Sequence, residues 1–94
     1  VTFIKQINGS GTLVVAGVEY GPADYLLDAY QNARMTWADG VLNADPAGFA
    51  VAMDGMCMAS VRLGSGAIVE FAITHWTTGT DQAQVKASGS VPGL

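Results

Sequence analysis

Cys57 and His75 are the sole cysteine and the sole histidine of the chain, and they are the pair that could run thiolate chemistry. An imidazole or another cation beside the sulfur lowers its pKa and makes it a nucleophile. Strand spacing argues against that use. If 57–63 pairs with 67–77 through the loop Gly64-Ser65-Gly66, Cys57 faces Ile73 among aliphatic groups, two residues short of His75. A thiol buried in that way has a raised pKa, so Cys57 reads as a small core residue. His75, just before Trp76, reads as a hydrogen-bonded residue at the rim of the core.

The acidic residues offer a second chemistry. Asp24 and Asp28 project to one side in a strand or a helix, since four residues is even and also about one helical turn. Paired carboxylates do acid–base work or hold a divalent cation, although two acids on a solvated face are the commoner arrangement. Asp39, Asp45 and Asp54 sit beside turns or at a helix start, where Asp bonds to local backbone. Glu70 is expected diagonal to Arg62 on the outer face of the 57–77 hairpin, an exposed pair worth ~0–1 kcal/mol. One Cys, one His and dispersed acids give no metal-ligand spacing. Neither a phosphate loop, a GxGxxG turn nor a GxSxG elbow is present. The residues favour a non-enzyme, and no cofactor or metal is expected.

These positions must be carried by a small fold. The chain has 94 residues, with 8 Asp and Glu against 4 Lys and Arg, for a net charge of −4. Charged residues are 13% of the chain, about half of the ~25% usual in soluble domains. Half of the residues are hydrophobic, which excludes a disordered tail. Four scattered cations cannot neutralise a run of phosphates, which excludes most electrostatic binders of nucleic acid. A chain of this length is expected to be a single domain over 1–94, with 89–94 fraying. A lone cysteine forms no internal disulfide and suits a reducing compartment, so the cytoplasm is expected. The longest apolar runs fall far short of the ~18 residues of a membrane helix.

Turn signals recur at 8–11, 21–22, 32, 39–40, 54–55, 64–66 and 78–79. That spacing predicts a mainly β protein, one small antiparallel sandwich or barrel of six or seven strands with one short helix. The strands are expected near 2–7, 12–20, 24–31, 35–43, 57–63, 67–77 and 82–88. The helix is expected over 45–53, with Asp45 as N-cap, Pro46 in the first turn and Gly55 past its end. Residues 22–34 also carry a helical stripe through Ala23, Leu26, Leu27, Tyr30 and Ala33, which would make the class α+β. The strand reading is preferred because turn signals flank it. For the hairpin, the alternation predicts Val61 opposite Val69, Ala59 opposite Phe71 and Cys57 opposite Ile73.

The outer face of that hairpin is short of charge, with Arg62 and Glu70 alone among Met58, Ile68, Ala72 and Trp76. Together with Met56, these residues are expected to form an apolar patch, covered by this chain, a second copy or another protein. The low charge thus predicts a sheet covered on both faces. The function expected is an interaction module presenting an apolar β-sheet face, as a homodimer or as a small inhibitor or accessory protein. The alternative is a small-molecule-binding β domain whose cavity is lined by Tyr20, Tyr25, Tyr30, Trp37 and Trp76.

Overall fold

Alternation of apolar and polar residues builds the first two strands. In the computed structural model, which describes residues 2–55, 58–88 and 91, β1 (Thr2–Val15) and β2 (Val18–Gln31) each run 14 residues. Ile7, Leu13 and Val15 of β1 are buried, as are Ala23, Tyr25, Leu27 and Ala29 of β2. This period of two is that of a sheet with one face packed. Ala16 and Gly17 join the strands at φ of 51° and 81°, the left-handed backbone that matches a two-residue hairpin to strand twist. The stretch 22–34 is therefore extended as far as Gln31, and the helical alternative is excluded. A helical stripe would have left Tyr25 and Ala29 outside, whereas both are buried.

The turn signals at 8–11, 21–22 and 39–40 lie inside strands instead. Gly9 sits under the ring of Tyr25, where an added Cβ would come within 2.6 Å of Cζ. Gly11 and Gly40 likewise lie against the Arg62 and Leu26 carbonyls of neighbouring strands. These glycines allow close approach rather than reversal. Pro22 falls at a register irregularity between Thr12 and Val14, a place where a strand tolerates proline. As a result two long strands occupy the stretch where three shorter ones are expected, and the total is six among the described residues.

After Gln31 the chain turns on Asn32, whose side-chain oxygen accepts the Arg34 and Met35 amides at 2.9 and 3.0 Å. β3 (Thr36–Asn43) then returns along β2. The helix α1 (Pro46–Asp54) follows, capped by Asp45, whose carboxylate accepts the Ala47 amide at 2.9 Å. Gly48, Phe49 and Ala52 are its buried residues. α1 carries the chain across to β4 (Ala59–Leu63), which pairs with β1. β5 (Ile68–Trp76) pairs with β4, and β6 (Gln82–Ser88) inserts between β5 and β3. The order β1-β2-β3-β6-β5-β4 closes into an antiparallel barrel.

The β4–β5 register is the one expected, with Ala59 opposite Phe71 and Val61 opposite Val69. The third expected pair involves Cys57, which lies outside the described residues, as does Met56. Leu13, Leu27, Leu42, Val61, Val69, Phe71 and Val85 fill the barrel, each less than 2% exposed. Phe49 of α1 joins them, also fully buried. Of the stretch expected to fray, 89–94, only Val91 is described, and it is buried against the core. No helix among the described residues is long and apolar enough to cross a membrane.

Two measurements check this packing. Phe49→Ala is expected to lower the unfolding free energy by ~3–5 kcal/mol in urea titration, the cost of a cavity under a ring. Tyr25 packs on Phe71 at 5.4 Å between ring centres, and burial raises its phenol above the ordinary value of 10.0. The unfolded chain therefore ionises first. Its contribution is whole below pH 10.0 and is lost as pH rises from there through the folded value. Tyr25→Phe is expected to flatten that alkaline loss of stability.

Candidate interaction surface

The residues with chemistry are dispersed around the barrel. His75 is exposed on the outer face opposite Gln84, and Cys57 is outside the described residues. Asp24 and Asp28 do project to the same side of β2, but their neighbours differ. Asp24 lies between Ser10 and Asn43, and Asp28 lies between Gln6 and Asp39. Among the described residues no group of three or more His, Cys, Asp or Glu is placed to hold a metal. Arg62 makes its ion pair with Glu19 of β2, not with Glu70. Closure of the barrel is the cause: β1 lies beside β4, and the arginine reaches over it to the next strand. The hairpin alone could not show that neighbour.

The expected apolar patch is divided in the structure. Met58, Ile68 and Ala72 are exposed on the outside of the β4–β5 hairpin, so this chain leaves that face uncovered. Ser60 and Glu70 pair across the strands between Met58 and Ile68 and separate them. Trp76 leaves the group altogether. A bulge between Ile73 and His75 adds one residue to β5, and Trp76 then pairs with inward-facing Ala83. Side chains alternate at every residue, so one inserted residue moves all that follow to the opposite face. Half-buried, the indole packs on Phe49 at 6.0 Å, and its Nε1 donates to the Thr80 carbonyl at 2.9 Å. Its remaining edge lines a shallow apolar cleft with Ala50, Val51 and Met53 of α1.

The aromatic residues expected to share a cavity are also parted. Tyr25 points inward, Trp76 is under α1, and Tyr20 packs partly buried against the core. Tyr30 and Trp37 stand on the outside, stacked at 5.9 Å with 28° between ring planes. A small ligand would instead find an open outer cleft of about 730 Å³, walled by Ser10, Thr12, Asp24, Asn43 and Arg62.

The feature that sequence reasoning missed is a row of rings. Phe3 pairs with Tyr30, and Tyr30 with Trp37, on three adjacent strands. Phe3 meets Tyr30 edge to face at 5.9 Å, with 72° between planes. The outermost ring, Phe3, is 55% exposed, and Met35, two residues before Trp37, is 53% exposed. Ile4, the extra residue of a second bulge, adds to the same end of β1 and is 41% exposed. Two of its three rings were legible: Tyr30 and Trp37 are equally far from the turn at 32–35. Phe3 was not, because its place depends on β1 continuing through Gly9 and Gly11.

Arg62→Ala is expected to change the unfolding free energy by less than ~1 kcal/mol, since both partners of its ion pair are half exposed and solvent-screened; urea titration reads it. Comparison of the chain with protein-family models, with curated proteins and with solved structures finds no match.

Proposed function

We propose that the protein is a non-enzymatic interaction module of the cytoplasm, whose contact surface is the outer aromatic row Phe3–Tyr30–Trp37. The observation that carries this reading is the outward direction of that row, with Phe3 exposed and Tyr30 and Trp37 half-buried. The inward residues already fill the barrel, so these rings serve no core. Aromatic and Met side chains with little charge are the composition of interface centres. Closure pairs β1 with β4 over Gly11–Val15, while Thr2–Ser10, which carries Phe3, pairs with β2 alone among the described residues. Contact runs through the side chains of the row, with a second copy or with another protein.

The test keeps the fold and removes the ring. Trp37→Ser is compared with Ile68→Ser, an exposed apolar control on the β4–β5 hairpin. Affinity capture from the source cell and sedimentation equilibrium of the pure chain are run on both. A partner or self-association kept by Ile68→Ser and lost by Trp37→Ser is the expected outcome. Identical behaviour of the two variants and the parent would overturn the assignment of the surface. A small-ligand reading retains one observation, the polar cleft at Ser10 and Asp24, and it expects ligand-dependent thermal stabilisation that Asp24→Asn removes.

A further inference from the structure

We propose that the surface recognises a basic partner segment, and that an arginine of that segment docks on the block formed by Asp28, Asp39, Tyr30 and Trp37. The inference rests on the aromatic row being a contact surface and adds the chemistry of what it contacts. Register defines the block. Tyr30 is opposite Trp37 and Asp28 is opposite Asp39, two residues further along the same strands. Residues two apart share a face of a strand, so the two carboxylates stand directly beside the two rings. All four side chains are half-buried.

The two carboxylates stand opposite each other, and Lys86 of β6 stands opposite Asp39 on its other side. Like charges directly opposite across two strands repel, and the chain has few cations with which to separate them. Among the described residues the ion pair is Arg62 with Glu19, elsewhere on the barrel. Lys86 faces Asp39 from β6 without bridging it. Gln6, a neutral donor, gives Asp28 one hydrogen bond at 3.3 Å. Lys5 stands opposite inward-facing Ala29 on β2, and Arg34 lies in the turn at 32–35. A cation from outside would relieve the repulsion.

The rings select which cation. Aromatic faces attract cations, and guanidinium most often. A guanidinium is planar, stacks on an aromatic ring and presents a fork of donors to carboxylates. A block with carboxylates on one side and indole on the other matches both properties. An ammonium would meet the charge without the stacking. The net charge of −4 draws basic segments towards the protein at long range.

The test uses three short peptides of the same sequence, carrying arginine, lysine or the neutral arginine isostere citrulline. Each is titrated into the full chain and followed through the Trp37 indole and the Asp28 and Asp39 amides by NMR. The arginine peptide is expected to bind there and the citrulline peptide to fail. A charge-assisted pair of this kind should make Asp28→Asn with Asp39→Asn bind the arginine peptide about tenfold more weakly. Thermal unfolding of that double variant checks that it folds, and loss of the repulsion is expected to leave it at least as stable as the parent. Equal binding of arginine and citrulline peptides, or shifts confined to another part of the barrel, would overturn the proposal. Silence towards all three peptides, with self-association that Trp37→Ser abolishes, would refute the basic partner and leave the contact surface standing. If Trp37→Ser also changes nothing, the surface itself is wrong.

Discussion

Pairing of β1 with β4 is the constraint on which the rest of the structure depends. Without it the six strands would form an open sheet with two exposed edges and an apolar face only partly covered. With it, Leu13 meets Val61, Val15 meets Ala59, and the inward rows of all six strands enclose one core. The same pairing places Arg62 within reach of Glu19 and presses the Arg62 carbonyl against Gly11. α1 is the connection that makes closure feasible, since it carries the chain from β3 to β4 and inserts Phe49 into the core on the way.

Closure also divides the surface by origin. Inside, alternation decides which strand residues are buried, α1 adds Phe49 and Ala52, and no polar or charged residue is buried among the described residues. Outside, the shortage of charge is met mainly by neutral polar groups: Asn8, Ser10, Thr12, Asn43, Gln82 and Gln84. The low charge of the chain therefore does not mark a sheet covered on both faces by this chain. It marks a barrel whose outer wall is polar but weakly charged, interrupted by one row of rings and by separate apolar residues such as Ile68.

Local signals were legible in the sequence, and those that depended on a distant strand were not. The β4–β5 register followed from alternation across a three-residue loop, because one slip would have put Arg62 opposite Val69. The helix followed from Asp45, Pro46 and Gly55, all within one short segment. The glycines at 9 and 11 misled because glycine serves both turns and close approach, and only the position of Tyr25 and of β4 distinguishes them. Trp76 was placed on the wrong face for a related reason. The bulge that turns it has no mark at Thr74 itself; it shows only in the register of β5 against β6.

The β1–β4 seam has a kinetic meaning as well. It joins residues 11–15 to 59–63, so much of the chain must be made before the first strand finds its second partner. The β1–β2 hairpin is local and forms early, within microseconds by the standards of such units. Until β4 arrives, its inward row of Leu13, Val15 and Leu27 faces solvent. Contacts of such long sequence separation slow folding, because the loop must close before they reward it. The shut wall of the native state is thus preceded during synthesis by an interval in which an apolar hairpin lies open, and that interval is when the chain is most exposed to aggregation.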